Sequence, residues 1–464
     1  MIQCPNRPIC DGCPNFELDD DDDHARVLEE LRPLFETHDL EVPTEILGAG
    51  PRLGYRNRAK MVVKRGQLGF YSRGSRDFVP IETCLVHDQN VEAAINAIRP
   101  LVKGLDGLKF IDVRYLREGV VTLSGKRDFS SEETEPFRVA LSELPTKWSL
   151  HQVVSSASVV HPSNSSAPVL EAQVRDKSFE LPADAFFQLN TYVLEAIHEA
   201  IRERVESGDL LDLYCGIGTH GLSLVSPEGR VRGFDAVESS VLAARRNAEA
   251  LKIEADFAIH DDSQPPNWSD VAGSTAITNP GRQGMSTEVV EWLNSKDLAG
   301  IVYLSCQPET FTRDVERLTN WKVDEIQIWD MLPKTSRVEV LAFLSPRKIE
   351  VLEPSDTWVA LVAGRAPHGE LPGGKFKVRA IKRTDQFSLV SIQGTPVSED
   401  EIVFALRKWG FPLLTPNQAL AKSMFLNRLP LENVVSGAPC HLFAQARVPV
   451  KILDSLVALG TSEG

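Results

Sequence analysis

Residues Leu211-Asp212-Leu213-Tyr214-Cys215-Gly216-Ile217-Gly218-Thr219-His220-Gly221 form a compact apolar strand running directly into three glycines and then a helical segment. Glycines at 216, 218 and 221 satisfy the spacing G-x-G-x-x-G. A turn of this kind lets the backbone approach a nucleotide and aims helix amides at it, which requires a parallel strand–turn–helix unit. Asp235 closes the next strand, where an acid can bond ribose hydroxyls. The arrangement serves a dinucleotide or S-adenosylmethionine equally well, and a Gly-rich turn without any ligand is a third reading.

The surroundings agree with such a unit. Asn190 to Val205 and Ser239 to Leu251 carry helical periodicity, while Leu210 to Tyr214, Ala276 to Thr278, Ile301 to Leu304 and Val340 to Leu344 are short buried strands. Strands alternating with helices predict a doubly wound parallel sheet over residues 181–345. At 464 residues the chain has room for about three domains. Residues 1–90 read as a cysteine-bearing segment with a helix over Ala25–Thr37 and basic strands, and 91–180 as a central α+β region, helical over Val91–Val102 and strand-like from Phe110 to about Gln173. Residues 346–464 read as an α+β accessory domain, with strands over Trp358–Val362 and Phe387–Ile392 and a helix over Glu399–Trp409.

A net charge of -15 argues against a protein that coats nucleic acid non-specifically through charge alone. It leaves room for a local basic face, and Tyr55 to Arg65 and Lys375 to Arg383 are the candidates. The aspartate run Asp19–Asp23 reads as a solvated loop or helix entry. No apolar run reaches the roughly 18 residues of a membrane span. Seven cysteines, an odd number, argue against a disulfide framework, so the protein is expected to be soluble and cytoplasmic, with thiols available as ligands or nucleophiles.

Cys306 follows the strand Tyr303-Leu304-Ser305, at the sheet edge where ligands bind. A thiol there can ionise and attack an electron-poor carbon, although a cysteine at a strand end is more often incidental. Three polar segments accompany it: Asn279-Pro280-Gly281-Arg282 after the preceding strand, Thr335-Ser336-Arg337-Val338-Glu339 before the last one, and Phe186-Phe187-Gln188-Leu189-Asn190 at the domain entrance.

Taken in order, the Phe-Phe-Gln-Leu-Asn segment, the Leu-Tyr-Cys-Gly turn, the Asn-Pro-x-Arg turn, the Ser-Cys-x-Pro turn and the Arg-Val-Glu ending resemble the RNA uracil-C5 methyltransferase family, over about residues 1–345. The resemblance implies a Rossmann-like class I S-adenosylmethionine fold. It implies Cys306 as nucleophile, Glu339 as base, and Gln188, Tyr214, Asp235 and Asn279 as S-adenosylmethionine contacts, beside Gly216 and Gly218 of the turn. Its chemistry explains the residue types. C5 of uracil becomes nucleophilic only after a thiolate adds to C6, and a base must remove the C5 proton before the cysteine can leave. Asn279, the Thr335-Ser336 pair, Gly221 and the early cysteines fit the 23S rRNA uracil-747 branch, so structured 23S rRNA is the expected partner and transfer RNA the alternative. No protein partner is evident. Gln307 stands where Asn is usual and Arg337 where His is usual. These departures and the net acidity motivate a rival reading as a catalytically silent RNA-binding relative. A nicotinamide dehydrogenase is the other rival, but it has no use for Cys306 and Glu339 together.

Cys4, Cys10 and Cys13 give C-x5-C-x2-C, and Cys84 follows later. The spacing suits zinc or an iron–sulfur cluster and does not choose between them. The family resemblance implies [4Fe–4S], in a structural or RNA-positioning role. Segments within 346–464 are faintly similar to half of a pseudouridine synthase without its catalytic aspartate.

Overall fold

The structure, a computed structural model, describes residues 3–72, 75, 77–155, 160–162, 168–205, 208–265 and 268–347. Beyond these it describes the strand segments 357–363, 369–370, 376–383, 387–394 and 441–443. Two compact units result, Met1–Arg347 and Lys348–Gly464.

In the first unit the Gly-rich turn belongs to an eight-stranded sheet. Its order is Ile46–Leu47, Trp321–Trp329, Glu339–Pro346, Gly300–Ser305, Thr275–Thr278, Leu210–Leu213, Val231–Asp235 and Ala255–Ile259. Neighbours run parallel except Glu339–Pro346, which is antiparallel to both its partners. The strand order reverses between Leu210–Leu213 and Thr275–Thr278, so a crevice opens there at the strands' carboxyl ends.

Both faces of this sheet are buried. Leu211, Leu213, Ile301, Tyr303 and Val340 pack into one core, and Leu210, Ile277, Val302, Leu304 and Leu341 into another. Alternate residues therefore enter opposite cores, which is why these strands appear in sequence as continuous apolar runs. The helix Thr191–Arg204 starts where Asn190, fully buried, accepts from the Val193 amide. Pro308 opens the helix Pro308–Arg317 that follows Cys306.

A seven-stranded sheet precedes it, in the order Phe78–Pro80, Gln67–Tyr71, Arg58–Lys64, Leu108–Tyr115, Gly119–Gly125, Trp148–Ser155 and Val160–Pro162. One sheet thus draws strands from both sides of position 90. The stretch expected to be strand-like contains the helix Ser131–Ser142, opened by a capping box in which Ser130 and Glu133 satisfy each other's backbone amides. That S-x-x-E signature was present in the sequence.

The aspartate run also departs from expectation. Asp19 caps a helix that begins at Asp20, five residues before the predicted start, and four aspartates occupy its positive end. Asp23 is buried, and Arg52 pairs with Asp20, Asp23 and Asp330. The run is therefore an interior anchor as well as a solvated edge.

The second unit's described strands are ordered Gly369–Glu370, Phe376–Arg383, Phe387–Gly394, Thr357–Ala363, His441–Phe443. The strands predicted at Trp358–Val362 and Phe387–Ile392 lie within it. The helix expected over Glu399–Trp409 lies outside the described residues.

Candidate active site

At the crevice each glycine of the turn has a separate task. Gly216 takes φ 53°, a Cβ there would meet open space, and its amide donates to Asp235 Oδ2 at 3.0 Å. Gly218 takes φ 81° as the N-cap of Thr219–Leu224. Gly221 lets the helix lie on the sheet, for a Cβ there would come within 2.6 Å of Val231. Tyr214 holds φ 62°, a conformation a bulky residue adopts only under constraint from its surroundings.

The turn forms one wall of a cleft of about 620 Å³. Gln188, Tyr214, Gly216, Asp235, Asn279, Cys306 and Glu339 all line it, together with Phe186, His220, Arg282 and Arg337. Gly218 is not among the lining residues; its place is in the helix cap, packed on Leu222 and Phe257. The open space beyond Gly216 and the carboxylate of Asp235 suit an adenosine and its ribose.

Cys306 and Glu339 meet through sheet register. Ser305 pairs with Val340 across antiparallel strands, so the next residue on each side reaches the same rim. Cys306 is exposed, whereas Glu339 is 2% exposed and its Oε1 has no hydrogen-bond partner. Burial pushes the Glu339 carboxyl up to about 8. The Cys306 thiol is raised first by burial and then by the charge of Glu339, while Arg282 and Arg337 pull it down. Arg337, an uncomfortable departure in sequence, thus offsets part of that rise through its positive charge.

The loop carrying Arg337 is held from several sides. Tyr55 Oη donates to Pro333 O at 3.2 Å, Asn190 Nδ2 to Met331 O at 3.3 Å, and the Asn15 amide to Lys334 O at 3.2 Å. Lys334 Nζ in turn donates to Leu18 O and Asp20. Sequence reading also missed the pair His198 and His220, both buried, whose rings meet at 2.9 Å behind Asn279.

None of the four early cysteines lines this cleft. Among the described residues no group of three or more His, Cys, Asp or Glu side chains is arranged to hold a metal ion, so the expected ligand set Cys4, Cys10, Cys13 and Cys84 is not a formed site. Its members are nonetheless neighbours. The Cys13 thiol is pushed up to about 12 by burial and then by Cys84, Cys10 and Cys4, and Cys10 is raised by burial and by Cys84 and Cys4. For Cys84 burial acts upward, but the adjoining His87 brings it below the ordinary thiol value.

The sequence matches the tRNA (Uracil-5-)-methyltransferase family over residues 24–259 and 267–347. The chain belongs to that family. It is a uracil-C5 RNA methyltransferase that uses S-adenosylmethionine, and the nicotinamide reading is set aside. It is 30% identical over 354 residues to a tRNA (uracil(54)-C(5))-methyltransferase of Pyrococcus horikoshii, covering 72% of this chain and 83% of the relative. It is 27% identical over 370 residues to the 23S rRNA (uracil(747)-C(5))-methyltransferase RlmC of Cronobacter sakazakii, covering 72% of this chain and 96% of the relative. The crystal structure of Pyrococcus abyssi tRNA (uracil-54, C5)-methyltransferase in complex with S-adenosyl-L-homocysteine superposes with a TM-score of 0.59 at 26% identity, over 73% of this chain and 86% of that one. Among the described residues no helix is long and apolar enough to cross a membrane.

Proposed function

We propose that the protein methylates C5 of a uridine in structured 23S rRNA, with Cys306 as nucleophile and Glu339 as base. The observation that carries this is the convergence of Cys306 and Glu339 on one rim of the cleft that also holds Gly216 and Asp235. Gln188, Tyr214, Gly216, Asp235 and Asn279 would hold S-adenosylmethionine, which supplies an electrophilic methyl group.

Cys306, as thiolate, adds to C6 of the ring, and the C5=C6 electron pair moves onto the O4 carbonyl as an enolate. C5 of the enolate takes the methyl group, leaving S-adenosylhomocysteine. Glu339, as carboxylate, accepts the proton from C5, and the Cys306–C6 bond breaks to restore the C5=C6 double bond and the thiolate. Arg282 and Arg337 favour the thiolate at the start and end of this cycle.

Coverage of 96% of the 23S rRNA enzyme's length supports the ribosomal substrate. The 30% identity to the Pyrococcus horikoshii enzyme keeps transfer RNA as the second reading. Incubation with labelled S-adenosylmethionine and either unmodified 23S rRNA fragments or unmodified transfer RNA, followed by mapping of the methylated base, decides between them. Transfer to neither RNA would favour the silent RNA-binding reading.

Cys4, Cys10, Cys13 and Cys84 are the proposed ligands of a [4Fe–4S] cluster, with zinc as the alternative. Thiols that raise one another's pKa need a cation to ionise together, and a metal group supplies that charge. Iron, sulfide and zinc analysis of anaerobically purified protein tests the set. Methyl transfer requires no electron from it, so its role is to hold the basic segment Tyr55–Arg65 in place.

A further inference from the structure

Asn279 stands at the carboxyl end of Thr275–Thr278, its backbone amide tied to Leu213 O at 3.3 Å. Its side-chain Nδ2 lies 3.1 Å from Nε2 of His220, whose Nδ1 lies 2.9 Å from Nε2 of His198. The two imidazoles meet at 73° with centroids 5.1 Å apart, and both are buried. Burial pushes His220 down to about 4 and His198 well below its ordinary value, so each ring carries one N–H. A neutral imidazole donates from one nitrogen and accepts at the other. With Asn279 donating to His220 Nε2, the His220 proton sits on Nδ1 and points at His198 Nε2. The chain ends at His198 Nδ1, which is buried without a partner.

We propose that His220 is a positioning residue: by accepting from the Asn279 amide it turns the Asn279 carbonyl oxygen into the cleft as a fixed acceptor for an N–H of a bound ligand. An unheld amide can present either end, and its NH2 end would oppose an N–H rather than bind it. Two ligands carry such a group: S-adenosylmethionine, through its amines, and uracil, through N3–H. The inference rests on the proposed reaction only for the second of these.

His220→Phe keeps the ring's bulk and removes the acceptor, whereas His220→Gln places an amide near the former Nε2. The Phe variant is expected to weaken S-adenosylmethionine binding by titration calorimetry, or to raise the KM for RNA at unchanged cofactor affinity, by about tenfold. The first result assigns the N–H to the cofactor and the second to uracil. The Gln variant is expected to recover most of the loss, and His220→Phe in an Asn279→Ala background to add nothing further. Wild-type behaviour of the Phe variant in both assays, a Gln variant no better than Phe, or full additivity with Asn279→Ala would overturn the proposal. So would ¹⁵N spectra of the free protein showing His220 protonated on Nε2. The spectra and the cofactor titration need no turnover. A wild type that methylates no RNA would therefore sink the proposed reaction without touching these two results.

Discussion

Cys306 and Glu339 lie one residue beyond the Ser305–Val340 pair, facing the same cleft from neighbouring antiparallel strands. The pair is uneven: Cys306 is an exposed residue whose thiol is only partly buried, whereas the Glu339 carboxyl is fully buried and its pKa raised to about 8. In the proposed cycle a neutral Glu339 would spare the thiolate a neighbouring negative charge, and the carboxylate would be required only when the C5 proton leaves.

Replacing the sulfur separates chemistry from binding. Cys306→Ala is expected to lower methyl transfer by roughly 10³-fold or more, while the Kd for S-adenosylmethionine stays within about threefold. Single-turnover assays and equilibrium titration measure the two.

Glu339→Gln should stop the cycle after methylation. A protein–RNA adduct that survives denaturing electrophoresis and carries the transferred methyl group is the expected result. Free methylated RNA at the wild-type rate would remove Glu339 from the role of base.

The same carboxyl links stability to pH. Its folded pKa is raised from 4.5 to about 8, so its contribution to stability is complete below 4.5 and fades as pH rises through about 8. Asp212, also raised to about 8, confounds the absolute curve. The difference between wild type and Glu339→Gln isolates Glu339, and in urea titrations the variant should gain on the wild type as pH rises across that window. In the proposed cycle turnover runs the other way: the step in which Glu339 would take a proton should speed up as pH rises through about 8.

Arg337→Leu removes one of the two cations that draw the Cys306 thiol down. The pH at which Cys306 reacts with iodoacetamide should shift upward, and kcat/KM near pH 7 should fall about tenfold. An unchanged alkylation profile would show that Arg337 does not act on the thiol.

Arg52→Met leaves Asp23 and Asp330 buried without their shared cation. Breaking such a network costs about 3–5 kcal/mol, readable as a lower urea midpoint. Because Asp330 begins the loop that ends at Glu339, methyl transfer should decline as well. Wild-type stability would mean that Arg52 contributes only surface charge.

Local pattern carried much of this protein. The continuous apolar runs of Leu210–Leu213 and Gly300–Ser305 announced strands buried on both faces, and the spacing of Gly216, Gly218 and Gly221 announced the turn between strand and helix. The order of five short motifs was enough to indicate the family, because each is a contiguous piece of chain. What remained hidden depends on residues distant in sequence. Asp23, placed in the interior by Arg52 and Asn15, looked like part of a solvated run. His198 and His220 are 22 positions apart and became a pair only when two helices packed together. Cys306 and Glu339 were nameable from sequence, but antiparallel register set them side by side, and burial, a property of the whole packed unit, set the proton affinity of each.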